Sequence, residues 1–255
     1  MLRDTWLIFR RDMTAALRNP TWVLIGLMQP LLYLFLFGPL MVKAVQGAQH
    51  VSEVDGWMLL TPALIAQMAL FGSSFVGFGL LAEYRSGVVE RFRVTPVSRT
   101  ALLLGKVLAN AVQAVVQALL IITLAYLAFD LDAPAGGVLL CLVIVFLLAV
   151  SLASCSYALA LTLKSEETFP ALLNAVLIPL LLLSGILLPI TAGRAPDWLY
   201  TVSRINPFRH VVDVERNTFR GDFTMDALFT GSVVVLVMAV LSVWWGTRTF
   251  HRENA

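Results

Sequence analysis

Long apolar segments, separated by shorter polar ones, make up most of the chain. A helix needs about 20 mainly apolar residues to cross the hydrocarbon core of a bilayer, and segments near that length recur six times. They are residues 21–42, 57–82, 107–129, 137–163, 168–190 and 227–245, and none contains Asp, Glu, Lys, Arg or His. The pattern predicts an all-α membrane protein with six transmembrane helices. The polar segment 43–56 is expected to be a loop, and 164–167 a tight turn.

Two of the predicted spans contain more than one proline. Pro30 and Pro39 lie in the first span, where they are expected to kink the helix. The fifth span contains three prolines and the pair Ser184-Gly185. An unbroken straight helix is therefore not expected there, and the end of this span should bend or re-enter the membrane.

The N-terminal residues 1–19 have the pattern of an amphipathic helix. The arginines lie mostly away from one apolar stripe at helical spacing, formed by Leu2, Trp6, Phe9, Met13 and Leu17. Such a helix lies along a membrane surface rather than across it.

The densest run of charge, residues 83–106, lies between the second and third spans. It holds five of the eighteen Lys and Arg residues. The stretch is predicted to form a short amphipathic helix, because its apolar residues fall on one side and its charged residues elsewhere. Pro96 ends this helix, and Ser98 is placed to cap the next one. The pattern alone is compatible with a solvated loop that sets topology or with a docking site for a partner protein.

The distribution of basic residues predicts the orientation of the chain. Twelve of the eighteen Lys and Arg residues lie in the N-terminal segment, in 83–106, in 164–167 and in the C-terminal tail, which six spans would place on one side. By the positive-inside rule this side is cytoplasmic, so both termini are expected in the cytoplasm. The long polar segment 191–226 is expected on the opposite side, despite its five arginines. Its aromatic residues spaced among charges are typical of helices at a membrane interface.

Composition agrees with a membrane protein and disfavours several kinds of site. Apolar residues make up 59% of the chain and charged residues 13%, against about a quarter charged in soluble domains. Nothing indicates nucleic-acid binding. Cys141 and Cys155 fall in one span, which favours buried packing residues over a disulfide, a metal site or a redox pair. The segment 100–107, TALLLGKV, lacks a Gly and a Ser or Thr that a phosphate-binding loop requires, so we expect no ATPase site and no cofactor in this chain.

Three amides mark the third span. Asn110, Gln113 and Gln117 are spaced i, i+3 and i+7, which places them on one face of a helix. They are expected either to hold helices together by hydrogen bonds or to line a transport path or dimer seam. Because no span carries an ionisable side chain, an ion-driven transporter is disfavoured, and the energy for transport must come from a partner subunit. A facilitative transporter or a membrane scaffold subunit stays open as an alternative.

Several stretches together resemble the membrane subunit of type-2 ABC exporters, a permease family that includes daunorubicin-type drug exporters and lipo-oligosaccharide or polysaccharide exporters. They are LLTPALIAQMAL (59–70), EYRSGVVERFRVTPVSRTALLLGKVL (83–108), LLLSGILLPI (181–190) with PDWL (196–199), and INPFRHVVDVER (205–216). Their order, the chain length and the number of spans extend the resemblance over essentially the whole chain.

The resemblance implies a permease that forms half of a transmembrane dimer, with a second copy or a homologous permease. It also implies a separate ATPase subunit, which binds ATP and Mg²⁺, and short re-entrant helices between the fifth and sixth spans. The N-terminal helix and the stretch after the second span would contact this ATPase. The coupling residues carried over from the family are Glu83, Arg85, Gly87, Glu90, Arg91, Pro96 and Arg99.

The expected function is export of a drug-like or lipid-like substrate through the plasma membrane. This substrate class is favoured because no large extracytoplasmic domain and no carbohydrate-binding extension are recognisable. Export of a polysaccharide or lipo-oligosaccharide is the alternative.

Overall fold

A computed structural model describes residues 1–19, 21–49, 52–85, 98–129, 131–187, 190 and 195–253. These residues contain helices, turns and loops but no β-strand, which confirms the all-α prediction. The helices are α1 (Leu2–Arg18), α2 (Thr21–Leu32), α3 (Gly38–Gln49), α4 (Glu53–Ser74), α5 (Gly77–Arg85), α6 (Arg99–Phe129), α7 (Ala135–Leu163), α8 (Thr168–Leu183), α9 (Asp197–Ile205), α10 (Pro207–Phe219) and α11 (Met225–Glu253).

Five helical stretches of the described chain are long and apolar enough to cross a membrane. They are Gly26–Ala44, Val54–Glu83, Thr100–Phe129, Ala135–Leu163 and Leu228–Phe250. The predicted fifth span falls on α8, which has 16 residues and is therefore about 24 Å long, against a hydrocarbon core of about 30 Å. α8 ends at the turn Ser184-Gly185, where Gly185 has a φ of 76°. The helix thus stops where the sequence indicated, and a sixth span stays a prediction.

The first span is a helix with a π-helical interruption. Tyr33–Phe37 form π-helix between α2 and α3, in the interval between Pro30 and Pro39. Proline removes a backbone donor from the helix, and a π turn is one way to accommodate the change.

The predicted loop 43–56 is mostly helical, so this prediction is wrong. α3 continues to Gln49, and α4 begins at Glu53 with a reciprocal capping box. The Asp55 N–H donates to Ser52 Oγ at 3.1 Å, and the Ser52 N–H donates to the Asp55 carboxylate at 3.3 Å. Because these bonds satisfy N–H groups that a helix start leaves free, α4 begins four residues before the predicted span.

The predicted second span is broken at Phe75 and Val76, which separate α4 from α5. The Gly77 N–H at the start of α5 donates to Ser156 Oγ at 2.9 Å, and the Ser156 hydroxyl donates to the Ser74 carbonyl at 2.5 Å. A Cβ on Gly77 would lie 2.7 Å from the Ser156 carbonyl oxygen. The break is therefore held by α7, which packs directly onto it.

α7 lies at the centre of the helix bundle and packs against α4, α5, α6 and α11. Its contact with α11 includes a 2.9 Å hydrogen bond between the hydroxyls of Ser151 and Ser242. Cys155 also donates to Ser242, and Cys141 is buried among apolar residues of the core. Both cysteines are free thiols; Cys141 is buried, as the sequence indicated, whereas Cys155 is only partly buried.

Segment 191–226 contains the short helices α9 and α10, which differ in burial. α9 exposes Trp198, whereas α10 packs against α4, α7 and α11 inside the bundle. Asn206 accepts a hydrogen bond from the Phe208 N–H at 3.0 Å and donates to the Leu180 carbonyl at 2.7 Å. This side chain caps α10 and fastens it to α8.

Candidate functional site

A cluster of charged side chains joins α1, α5 and α6. Lys106 of α6 is only 7% exposed, and its Nζ lies 2.9 Å from Glu83 Oε1 and 3.8 Å from Asp12 Oδ2. Arg11 lies 3.9 Å from the same Glu83 oxygen. We call these four residues the ion cluster. Each buried charge has an opposite charge beside it, which a largely buried ammonium group requires.

Close packing of α1 on α6 brings the ion cluster together. At Gly105 a Cβ would lie 2.7 Å from Ile8 Cβ and 3.0 Å from the Thr5 carbonyl oxygen, so a larger residue would separate the two helices. Burial in this contact raises the pKa of Asp12, while the positive charges of Lys106 and Arg11 act in the opposite direction. α1 is thus an integral part of the site.

A second ion pair connects the end of α5 with the turn 164–167. Arg85 Nη1 lies 2.9 Å from Glu166 Oε2, with side chains that are 68% and 36% exposed. The ion cluster and this pair place α1, the start of the 83–106 stretch and the 164–167 turn at one end of the bundle. These are segments that the distribution of basic residues assigns to the cytoplasmic side.

The structure describes part of the predicted coupling stretch. Glu83 and Arg85 make the contacts given above, and the backbone of Arg99 begins α6. Ser98 caps this helix, as predicted, because its Oγ accepts from the Ala101 N–H at 3.2 Å. Gly87, Glu90, Arg91 and Pro96 lie outside the described residues, so their coupling role stays a prediction, as does that of the Arg99 side chain.

A polar cavity lies between α2, α4 and α6, in the middle of the apolar helices. Its volume is about 190 Å³, and we call it the amide cavity. The three amides predicted from the sequence lie together in its wall, with side chains from the other two helices. Its polar lining consists of Gln29, Gln67, Ser73, Asn110, Gln113 and Gln117.

Three residues that line the amide cavity each have a buried side-chain oxygen without a hydrogen-bond partner among the described residues. They are Gln67 Oε1, Ser73 Oγ and Asn110 Oδ1. Gln67 is 4% exposed and Ser73 is 1% exposed, so bulk water does not satisfy these side chains freely. A buried polar atom without a partner costs about 1–3 kcal/mol. The wall of the cavity therefore contains side chains whose oxygens can still accept hydrogen bonds.

The position of Gln117 depends on a glycine in the facing helix. A Cβ on Gly26 of α2 would lie 2.7 Å from Gln117 Nε2. The missing side chain lets the amide approach the α2 backbone, which brings α2 and α6 close together.

A second cavity, of about 280 Å³, lies between the ion cluster and the amide cavity. We call it the access cavity. Asp12 and Lys106 line it at one end, and the break at Phe75 forms part of its wall. Asn110 and Gln113 line both cavities and therefore form the wall between them.

α10 carries two adjacent buried charged residues, Glu215 and Arg216. Arg216 donates to the carbonyls of Leu59 at 3.1 Å, Gly185 at 2.9 Å and Ile186 at 3.2 Å. It therefore ties α10 to α4 and satisfies carbonyls just after the end of α8. Both carboxyl oxygens of Glu215 lack a hydrogen-bond partner in the described part of the chain. Burial raises the pKa of Glu215 well above its ordinary value, although Arg216 opposes this shift.

No role was predicted for Glu215, although the spacing of the apolar residues around it indicates that it is buried. Glu215 lies seven residues after Phe208, four after Val211 and four before Phe219, and these apolar residues are all buried. A carboxyl group at this spacing falls on the buried stripe of a helix. For Gln29 and Gln67 the signal is weaker, since it consists of single amides within apolar spans.

Comparison with known proteins gives a family match and several relatives. The family model described as ABC-2 type transporter matches residues 3–219. The transport permease ycf38 of Cyanophora paradoxa is 26% identical over 214 residues, covering 83% of this chain and 72% of the relative. The protein of the same name from Porphyra purpurea is 25% identical over 227 residues, covering 89% and 76%. The multidrug ABC transporter permease YbhR of Escherichia coli K12 is 22% identical over 202 residues, covering 79% and 54%.

Proposed function

Because the chain belongs to the ABC-2 type transporter family, we propose that it is the membrane subunit of an ATP-driven exporter that moves a drug-like or lipid-like amphiphile out of the cytoplasm or the inner leaflet. The family and the names of the relatives support a transport permease, as the resemblance implied. The five long apolar helices agree with a multi-pass membrane protein.

The observation that carries the mechanism is the ion cluster. It links α1, α5 and α6 through charged side chains at the end of the bundle that we assign to the cytoplasm. A separate ATPase subunit, holding ATP and Mg²⁺, docks on this end and on the 83–106 stretch. Movement of the docked stretch is passed to α5 and α6, which adjoin its two ends. A second copy or a homologous permease completes the membrane unit.

The amide cavity supports a role for α6 in the transport path. Asn110, Gln113 and Gln117 line it together with Gln29 and Gln67. Among the described residues, no ionisable side chain lines the cavity. This agrees with a path whose energy comes from a partner subunit instead of an ion gradient.

A charge swap tests the coupling assignment. The permease is purified together with its ATPase subunit, and ATP hydrolysis and ATP-dependent movement of a fluorescent amphiphile are measured in vesicles. The double variant Glu90→Lys, Arg91→Glu keeps the net charge, so it should insert and accumulate normally. We expect it to lose export and the substrate-stimulated part of ATP hydrolysis, because charges across an interface fix partner choice and register.

The matched control reverses two exposed charges in segment 191–226, Arg220→Asp with Asp222→Arg. This swap also keeps the net charge, and we expect it to leave export and ATP hydrolysis intact. Full export by the Glu90/Arg91 variant would reject the coupling assignment. ATP hydrolysis by the permease purified free of any other subunit would reject the proposal that it has no ATPase site.

A further inference from the structure

We propose that the amide cavity is the binding site for an uncharged, hydrogen-bond-donating head group of an amphiphilic substrate, and that the access cavity is its route from the end of the bundle that carries the ion cluster. The inference rests on the proposed function and names the class of substrate for it. Glycerol-like, hydroxyl-bearing and primary-amide head groups belong to this class.

The unpartnered oxygens of the amide cavity define what the ligand must supply. The unpartnered atoms Gln67 Oε1, Asn110 Oδ1 and Ser73 Oγ belong to side chains of two different helices, and all three residues line the same space. A partner for such acceptors must carry O–H or N–H donors. Ligand donors would satisfy atoms that otherwise remain buried without a hydrogen bond, so binding removes a cost already present in the empty site.

The cavity lining sets the charge of the head group. The described lining of the amide cavity holds amides, a hydroxyl and apolar groups, but no acid and no base. The adjoining access cavity has two charged residues in its lining, Asp12 and Lys106, and they are already paired within the ion cluster. A charged head group would lose its hydration without gaining a counter-ion, which is strongly unfavourable in a membrane interior.

The cavity volume sets the size of the bound group. About 190 Å³ is somewhat more than the roughly 150 Å³ cavity that accommodates benzene in another protein. The amide cavity therefore holds a head group and not a complete amphiphile. Gly72 in its wall is exposed and would leave a Cβ in open space, so the apolar part of the ligand can extend outwards there.

The position of the access cavity provides the route. It begins at the ion cluster and reaches the amide cavity at the shared residues Asn110 and Gln113. The break at Phe75 and Val76 lines it, and Gly79 on the following turn is exposed. A hydroxyl-bearing head group passing Asn110 and Gln113 can exchange hydrogen bonds with both amides before it enters the amide cavity.

A binding experiment on the purified permease, without an ATPase, tests the head-group class. Three dodecyl probes with the same terminal fluorophore carry glycerol, trimethylammonium or sulfate as the head group. Binding is measured by fluorescence polarisation in lipid nanodiscs. We expect the glycerol probe to bind at least about tenfold more tightly than either charged probe. Equal or tighter binding of a charged probe would overturn the inference.

Variants locate the binding site. Asn110→Leu with Gln67→Leu should weaken binding of the glycerol probe by about tenfold or more, because two hydrogen-bonding groups are lost. The matched control is Asn174→Leu, which replaces an exposed amide of α8 outside the cavity and should leave the affinity unchanged. If the double variant also leaves the affinity of the glycerol probe unchanged, binding is to the lipid surface and the inference fails.

Three glycines provide two plugs and a matched control, because a Cβ on Gly47, Gly72 or Gly79 would meet no atom within 4 Å. Gly72→Leu should block the opening through which the apolar part of the ligand extends, and so weaken binding of the glycerol probe. Gly79→Leu should obstruct the access cavity, so association and dissociation both slow while the Kd stays the same. Gly47→Leu, in α3 and away from both cavities, is the control with unchanged binding. Unaltered rates in Gly79→Leu would overturn the assigned route.

The substrate class and the exporter function can be refuted separately. Loss of selectivity for the glycerol probe together with intact ATP-dependent export would refute the substrate class and leave the proposed function standing. Selective binding without any ATP-dependent transport in the assembled complex would refute the exporter and leave the binding site standing.

Discussion

Replacing Glu83 by Gln should destabilise the protein more than removing any exposed ion pair, because Glu83 is the nearest partner of a buried ammonium group. The ion pair that is lost joins Lys106 Nζ to Glu83 Oε1 at 2.9 Å, and Lys106 is only 7% exposed. Glutamine keeps a carbonyl oxygen at this position but carries no negative charge. The remaining partner, Asp12, lies 3.8 Å from Nζ. Hydrogen bonds to charged groups contribute about 1.5–3 kcal/mol. We expect a loss of about 2 kcal/mol, since Asp12 still compensates part of the Lys106 charge.

The comparison variant is Arg85→Gln, which removes an ion pair of the same 2.9 Å length at a site where the two side chains are 68% and 36% exposed. Exposed pairs contribute about 0–1 kcal/mol, because water screens them. Both variants remove one charge by substitution with glutamine, so they differ mainly in burial. The pair therefore isolates the effect of burial on ion-pair stability within one protein.

Thermal unfolding followed by tryptophan fluorescence in detergent measures the difference. For a chain of this size, 1 kcal/mol corresponds to a Tm shift of about 2–4 °C. Glu83→Gln should lower the Tm by about 4–8 °C, and Arg85→Gln by less than about 4 °C. Equal shifts in the two variants would refute the argument that the ion cluster is a buried structural element.

Three further predictions concern Asp12, Gly77 and Arg216. Burial raises the folded-state pKa of Asp12, so the contribution of Asp12 to stability is largest below its unfolded-state pKa and is lost as the pH rises through the folded-state pKa. Asp12→Asn should flatten the pH dependence of Tm over this window, and an unchanged profile would contradict the assignment. Gly77→Ala should lower the Tm by several degrees, because its Cβ would lie 2.7 Å from the Ser156 carbonyl oxygen. Gly79→Ala should leave the Tm unchanged, since its Cβ would meet nothing within 4 Å, and equal Tm values for the two variants would refute the close contact. Arg216→Lys should destabilise the chain by about 1–3 kcal/mol, because a single ammonium group cannot reproduce the forked guanidinium contacts. The same unfolding assay measures this loss, and wild-type stability would show that these contacts are dispensable.

Features that depend on local sequence were predictable. The length of the apolar segments indicated most of the spans, because the thickness of the bilayer fixes that length. Ser98 was identified as a cap because its hydroxyl can satisfy a free N–H at the start of α6. The spacing of Asn110, Gln113 and Gln117 indicated a shared face, and these amides do line one cavity.

Features that depend on contacts between distant segments were not predictable. The break at Phe75 and Val76 was not predicted, because it is held by Ser156, which lies 79 residues from Gly77 in sequence. The early start of α4 was not predicted either, although its cause, the capping box between Ser52 and Asp55, is local. The polar composition of 43–56 had indicated a loop. The contributions of Gln29 and Gln67 to the amide cavity arise from helix packing alone.

The arrangement of polar residues on α6 connects the ion cluster with the amide cavity. Asn110, Gln113 and Gln117 follow Lys106 at i+4, i+7 and i+11, so all four lie along one face of an α-helix. With a rise of 1.5 Å per residue, Lys106 and Gln117 are separated by about 16 Å along the helix axis. A helix of this length transmits a displacement as a nearly rigid rod, whereas α4 and α5 are separated by a break. A force applied through the ion cluster would therefore move the amides of α6 past those of α2 and α4, changing the shape of the cavity in which we place the substrate.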